Sequence, residues 1–106
     1  MTRRTANKET GTTAMRKKGR VPPLYGTVRV YVFEPGTSNP RNGAWVQVIY
    51  NSNLEDEGQT NSSGEWTSTA QLVGNRWYDI EAEFQQHDAT TTWVPDGETA
   101  TETLYA

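Results

Sequence analysis

The chain has 106 residues, of which 33% are hydrophobic and 22% charged, with a formal net charge of −3. That length supports one domain around one small core. It contains no cysteine and a single histidine, His87, which excludes a disulfide scaffold, a thiolate metal site, a cysteine nucleophile and a multi-histidine metal cluster within one subunit. No apolar run reaches the length of a membrane span or of a signal-peptide core, so neither a membrane partner nor an export signal is expected.

The charge is divided along the chain. Residues 1–20 carry Arg3, Arg4, Lys8, Arg16, Lys17, Lys18 and Arg20 against the single acid Glu9, a net of +6. Residues 21–106 carry only Arg29, Arg41 and Arg76 against twelve acids, a net of −9. Lysine does not occur after Lys18. Such asymmetry describes a basic arm on an acidic body, with the arm directed at an anionic partner. The arm is poor in apolar side chains and shows no helical or strand period, so it is expected to be extended and to be held by something outside itself. The division predicts an arm over 1–20 and a folded domain over 21–106.

The body reads as strands. Val21-Pro22-Pro23 breaks the chain ahead of an alternating run from Tyr25 to Phe33, in which Val28, Val30 and Val32 share one face. Glu34-Pro35-Gly36 and the stretch Asn39 to Gly43 carry turn chemistry. Ala44, Val46, Val48 and Tyr50 then alternate with Trp45, Gln47 and Ile49. Residues 51–57 are polar and acidic and read as a loop, followed by a short strand near Gly58–Asn61 and a turn at Ser62-Ser63-Gly64. Further strands are expected over Trp66–Leu72, Trp77–Gln85, 89–94 and Glu98–Tyr105, with turns at Gly74-Asn75 and Pro95-Asp96-Gly97. The total is seven short strands without an amphipathic helix, the pattern of an all-β, Ig-like antiparallel sandwich. The expected core is the valines of the first two strands with Trp66, Leu72, Tyr78, Ile80, Phe84 and Leu104.

The order of these features resembles the prealbumin-like sandwich of carboxypeptidase regulatory-like domains and of the B-type repeats of collagen adhesins. The residues that carry the resemblance are Gly43-Ala44-Trp45-Val46-Gln47-Val48, then Thr60 to Gly64 with Trp66, then Leu72, Gly74, Tyr78 and Ile80, and Leu104 near the end. With the first strand that begins at Gly26 and the proline-containing loop after it, they span about 80 residues and leave the basic arm outside. The resemblance implies a seven-stranded prealbumin-like fold and a binding, spacer or assembly role. The lysine–asparagine cross-link of some adhesin repeats needs a lysine in the first strand, where this chain has Arg29. The hydrolase branch of the transthyretin-like group implies several histidines and a tyrosine-arginine-glycine-serine terminus, whereas this chain has one histidine and ends Leu104-Tyr105-Ala106.

Residue types that could carry chemistry are sparse. Glu55-Asp56-Glu57 with Asp88 or Asp96 could supply oxygens to calcium, but no repeated acidic spacing favours this over a solvated loop, and no metal or other cofactor is expected. His87-Asp88 lacks a partner nucleophile or second base placed by motif, so no catalytic residues are assigned and the chain is expected not to be an enzyme. Trp45 lies on the face opposite the valines and Trp93 near the end of an outer strand. Outward tryptophans suit a subunit contact, with packing under a loop or a sugar-stacking platform as alternatives. The expected partner-binding residues are therefore the seven arm cations, Trp45 and Trp93.

A basic leader without an export signal, joined to an extracellular-type module, suits a virion structural protein made in the host cytoplasm. The expected function is that of a capsid-associated decoration or cement protein. Its arm would tether it to a capsid or other structural protein, or to neighbouring copies, in a homo- or hetero-oligomeric assembly. Two alternatives remain: a carbohydrate-binding or adhesin-type module, and a nucleic-acid-associated protein using the arm on phosphates. The arm has no aromatic residue for base stacking, which leaves nucleic acid secondary.

Overall fold

The computed structural model describes residues 24–106. The seven arm cations and the expectation of an extended arm lie outside the described residues. Within them the chain is all-β, with eight strands in two four-stranded sheets: β1 (Tyr25–Phe33), β2 (Trp45–Tyr50), β3 (Asn53–Gln59), β4 (Glu65–Thr67), β5 (Leu72–Val73), β6 (Arg76–Glu83), β7 (His87–Val94) and β8 (Thr99–Tyr105).

In the first sheet β1 pairs antiparallel with β4 and β5 and parallel with β8, from Thr27↔Thr99 to Phe33↔Tyr105. The second sheet runs β3-β2-β6-β7 and is antiparallel throughout. The expectation of a wholly antiparallel sandwich is thus corrected at the β1–β8 pair. Antiparallel neighbours can be joined by a tight hairpin, but β1 and β8 are separated by the whole domain, so no short connection imposes that direction.

Period-2 alternation places one side of each long strand in the interior. Val28, Val30 and Val32 of β1, Val46 and Val48 of β2, Tyr78, Ile80 and Ala82 of β6, Val94 and Leu104 form one cluster with Ala44, Trp66, Leu72 and Ala106. Each valine or leucine so buried contributes about 1.5–3 kcal/mol relative to exposure. Tyr78 is interior but keeps its hydroxyl satisfied, donating to the Val73 carbonyl at 2.6 Å. Burial raises its pKa above the ordinary phenol value, and the neighbouring Arg76 partly opposes that rise. The core of the sequence reading holds except at Phe84, which is 42% exposed. β6 ends at Glu83, the chain turns so that the Phe84 amide donates to the Gln86 carbonyl, and the ring faces out under the Arg41 guanidinium, 4.7 Å from its centroid.

The strand count of seven is corrected to eight by the division of one expected strand, and the short strand expected near Gly58–Asn61 is instead the longer β3. The expected Trp66–Leu72 strand is divided, because the Thr69 and Ala70 amides leave the ladder and donate to Asp56 Oδ2 at 2.9 and 3.0 Å. Ser68 remains docked on β1, its Oγ accepting from the Val28 amide and its own amide donating to the Val28 carbonyl. The expected acidic loop over 51–57 is instead most of a hairpin. Asn51 and Ser52 both have positive φ, 53° and 68°, and join Tyr50 to Asn53 as a two-residue turn. That conformation suits the right-handed twist of the strands it links. β3 lacks an apolar face because it is an edge strand, where charge discourages pairing with other chains.

The hairpin yields a direct test. Ser52 occupies a left-handed position that glycine accepts without steric cost, and Asn-Gly is the preferred pair for such a turn. A Ser52→Gly substitution relieves roughly 1–2 kcal/mol of left-handed strain against about 0.5–1 kcal/mol of extra chain entropy lost by glycine, so it should stabilise the domain by about 0.5–1 kcal/mol, read as a higher midpoint in chemical denaturation with an unchanged slope.

Candidate functional site

The feature that stands out is the outer face of the β3-β2-β6-β7 sheet. The residues opposite its core positions are Trp45, Gln47 and Ile49 of β2, Trp77, Asp79, Glu81 and Glu83 of β6, and His87, Ala89, Thr91 and Trp93 of β7. Register sets them in cross-strand rows. Trp45 lies beside Glu83, which lies beside His87; Gln47 beside Glu81 and Ala89; Ile49 beside Asp79 and Thr91; and Trp77 beside Trp93. Glu57 of β3 extends the second row from the other side of Gln47.

Tryptophan thus bounds an acidic field. Trp77 and Trp93 are directly paired, their ring centroids 5.6 Å apart and their planes at 67°. They are 60% and 43% exposed, and Trp45 at the opposite end is 41% exposed. The six residue steps from Trp77 to Glu83 set the two ends roughly 20 Å apart along the strand. Between them lie Glu57, Asp79, Glu81 and Glu83, and no outward position of these strands is a lysine or arginine. Arg76 alternates to the inner side, its guanidinium 4.0 Å above the Tyr50 ring. His87 Nε2 stands 3.2 Å from Glu81 Oε1. Beside them Trp45, Gln47, Glu81, Ala82, Glu83 and His87 line a shallow hollow.

Of the expected contact residues, Trp45 and Trp93 both fall on this face but at opposite ends, and the arm cations lie outside the described residues. Trp77 was missed as a contact residue. Its position opposite Tyr78 and Ile80 in the alternation was a signal, but its pairing with Trp93 appears only once β6 and β7 are in register. Trp66 is buried, as its alternation requires.

The acidic residues considered for calcium do not converge. Among the described residues no group of three His, Asp or Glu side chains is arranged to hold a metal ion. Asp56 binds the backbone of the β4–β5 segment, Asp88 Oδ2 accepts from the Tyr105 amide at 2.9 Å, and Asp96 Oδ2 accepts from the Asn75 side chain at 2.9 Å. Asp56 and Asp88 therefore work as fasteners between the two sheets along their opposite edges.

Two four-stranded sheets in this arrangement define a transthyretin-like, or prealbumin-like, β fold. Solved structures share it, two of them as follows. A Klebsiella pneumoniae 5-hydroxyisourate hydrolase is similar with a TM-score of 0.62 at 17% identity, over 76% of this chain and 90% of that one. The Bacillus anthracis TIE protein is similar with a TM-score of 0.62 at 16% identity, over 77% of this chain but only 16% of that one. No protein-family model matches the chain, and no curated protein matches it. At these identities the likeness shows the fold alone. It nevertheless corrects the expectation that the chain is not an enzyme: the architecture is also that of a hydrolase, so a prealbumin-like sandwich does not set this chain apart from enzymes.

Proposed function

We propose that this chain is an assembly module, a capsid-associated decoration protein of a virion, whose basic segment 1–20 tethers it to neighbouring subunits. The carrying observation is the pairing of a +6 leader with a sandwich face that displays Trp45, Trp77 and Trp93 around four carboxylates. Exposed aromatic side chains are favoured at the centres of protein interfaces, where they bury a large area with few rotatable bonds. The edge-on geometry of Trp77 and Trp93 supports a protein contact over a carbohydrate platform, since the two rings do not form one flat stacking surface. The finer kinship to carboxypeptidase regulatory-like and adhesin B-type domains, carried by the motif order from Gly43 to Leu104, supports a module that binds and spaces. Repetition of such contacts over a symmetric shell would convert individually weak tethers into firm attachment.

Light scattering of the full chain at low and high salt tests this reading. The expected result is association at low salt that weakens as salt rises, because exposed opposite charges are screened within about 10 Å at 0.1 M. Lys17→Glu with Arg20→Glu should weaken it at least tenfold. A chain that is monomeric at every salt and concentration, or that associates equally with both cations reversed, would overturn the proposal.

A further inference from the structure

We infer that the outer face of the β3-β2-β6-β7 sheet is the receptor for the basic segment 1–20 of a second copy of this chain. The inference rests on the tethering role proposed above and identifies its docking surface.

Charge selects the occupant. The face presents Glu57, Asp79, Glu81 and Glu83 with no lysine or arginine at its outward positions. The bodies of two copies, each with a net charge of −9, repel one another unless cations intervene. The chain supplies those cations itself, in a segment whose seven lysines and arginines meet only one acid. The Trp77–Trp93 pair and Trp45 complete the match, because guanidinium and ammonium groups are attracted to indole faces and their aliphatic stems cover apolar rings.

Length and position permit the contact. The described chain starts at Leu24, whose carbonyl accepts from the Gly74 amide at 3.1 Å, and Gly74 lies three residues before Trp77. The described chain therefore begins at the end of the sandwich that carries the Trp77–Trp93 pair. Twenty residues span at most about 70 Å when extended, several times the ~20 Å between the two ends of the face. Since the tether runs to a neighbouring subunit, the receiving face belongs to that subunit, and reciprocal exchange of two arms would join two copies through two such contacts.

The test uses the full chain in two forms. One has a reversed arm, Lys17→Glu with Arg20→Glu; the other has a reversed face, Asp79→Lys with Glu83→Lys, both positions being exposed. Glu98→Lys, also exposed but outside this face, is the control for reversing a carboxylate elsewhere on the body; it shifts the net charge by half as much as the reversed face. Each reversed form alone should associate at least tenfold more weakly than the parent, the control should match the parent, and an equimolar mixture of the reversed forms should associate again. Association should also shift tryptophan fluorescence to the blue as Trp77 and Trp93 are covered.

If the face-reversed form associates like the parent while the arm-reversed form does not, the arm has another receptor: the docking surface is wrong and the tether survives. Failure of the mixture to associate also overturns the docking surface. If the parent itself does not associate, the tethering role is what fails. Should the face-reversed form not fold, Asp79→Asn with Glu83→Gln keeps the shapes of the side chains and removes their charge. Association then falls about threefold if the inference holds and is unchanged if it does not.

Discussion

A Gly58→Ala substitution is expected to destabilise the domain by about 2–3 kcal/mol, although it adds one methyl group to an edge strand. A Cβ on Gly58 would fall on the Trp66 indole, against Nε1 and Cδ1. Trp66 is 9% exposed and closes the core where β3 and β4 approach from opposite sheets. Overpacking a fitted contact typically costs 1–3 kcal/mol, and the ring has core side chains rather than solvent behind it. For a small domain whose total stability is on the order of 5–15 kcal/mol, this is a large share. The cause can be isolated by a double-mutant cycle. Trp66→Phe removes Nε1, the atom that a new methyl would strike most directly, so Gly58→Ala should cost at least 1 kcal/mol less in that background. An equal cost in both backgrounds, measured by urea denaturation, would show that the contact does not carry the effect.

Gly64→Ala is expected to destabilise the domain by about 2–4 kcal/mol, through two effects that a second glycine separates. Gly64 has φ of 74°, and a Cβ there would stand 2.6 Å from the Val32 carbonyl oxygen and 3.0 Å from Pro40 Cβ. The backbone conformation alone costs an L-residue roughly 1–2 kcal/mol, and the steric conflict falls partly on backbone that cannot move without disturbing β1. The Gly64 carbonyl also accepts from the Val32 amide at 2.8 Å, so displacement of the turn would loosen the first sheet. Gly36 shares the positive φ, 79°, but a Cβ there would meet nothing within 4 Å. Gly36→Ala should therefore cost only about 1 kcal/mol. Equal losses at the two sites would assign the whole effect to φ and none to packing.

These two glycines show how far local sequence carries. Ser62-Ser63-Gly64 is recognisable as a turn from its residue types, and Gly64 as the position within it that takes the left-handed conformation. Gly58 gives no such signal. It opens the short strand expected near Gly58–Asn61 with no turn chemistry to mark it, and its importance comes from Trp66, eight residues away and across the interface between the sheets.

The same division holds for the whole protein. Alternation in β1, β2 and β6, together with the turn residues at Gly36, Gly64 and Gly97, determined an all-β sandwich, most of its core though not Val94, and the outward placement of Trp45 and Trp93. The separation of charge between residues 1–20 and the remainder is likewise a property of the sequence alone. Only the tertiary structure decided that β8 runs parallel to β1, because strand direction between distant segments follows from sheet assembly rather than from residue preference. Long-range hydrogen bonds decided that Asp56 draws the Thr69 and Ala70 amides out of the ladder and divides one expected strand into two. Phe84 turned outward because β6 stops at Glu83, a boundary set by the turn into β7. The candidate surface has the same origin: alternation shows which residues point away from the core, but cross-strand register alone sets Trp77 against Trp93 and gathers Glu57, Asp79, Glu81 and Glu83 between the tryptophans. Neighbours across a sheet are far apart in the chain, so the forces that join them leave no local pattern.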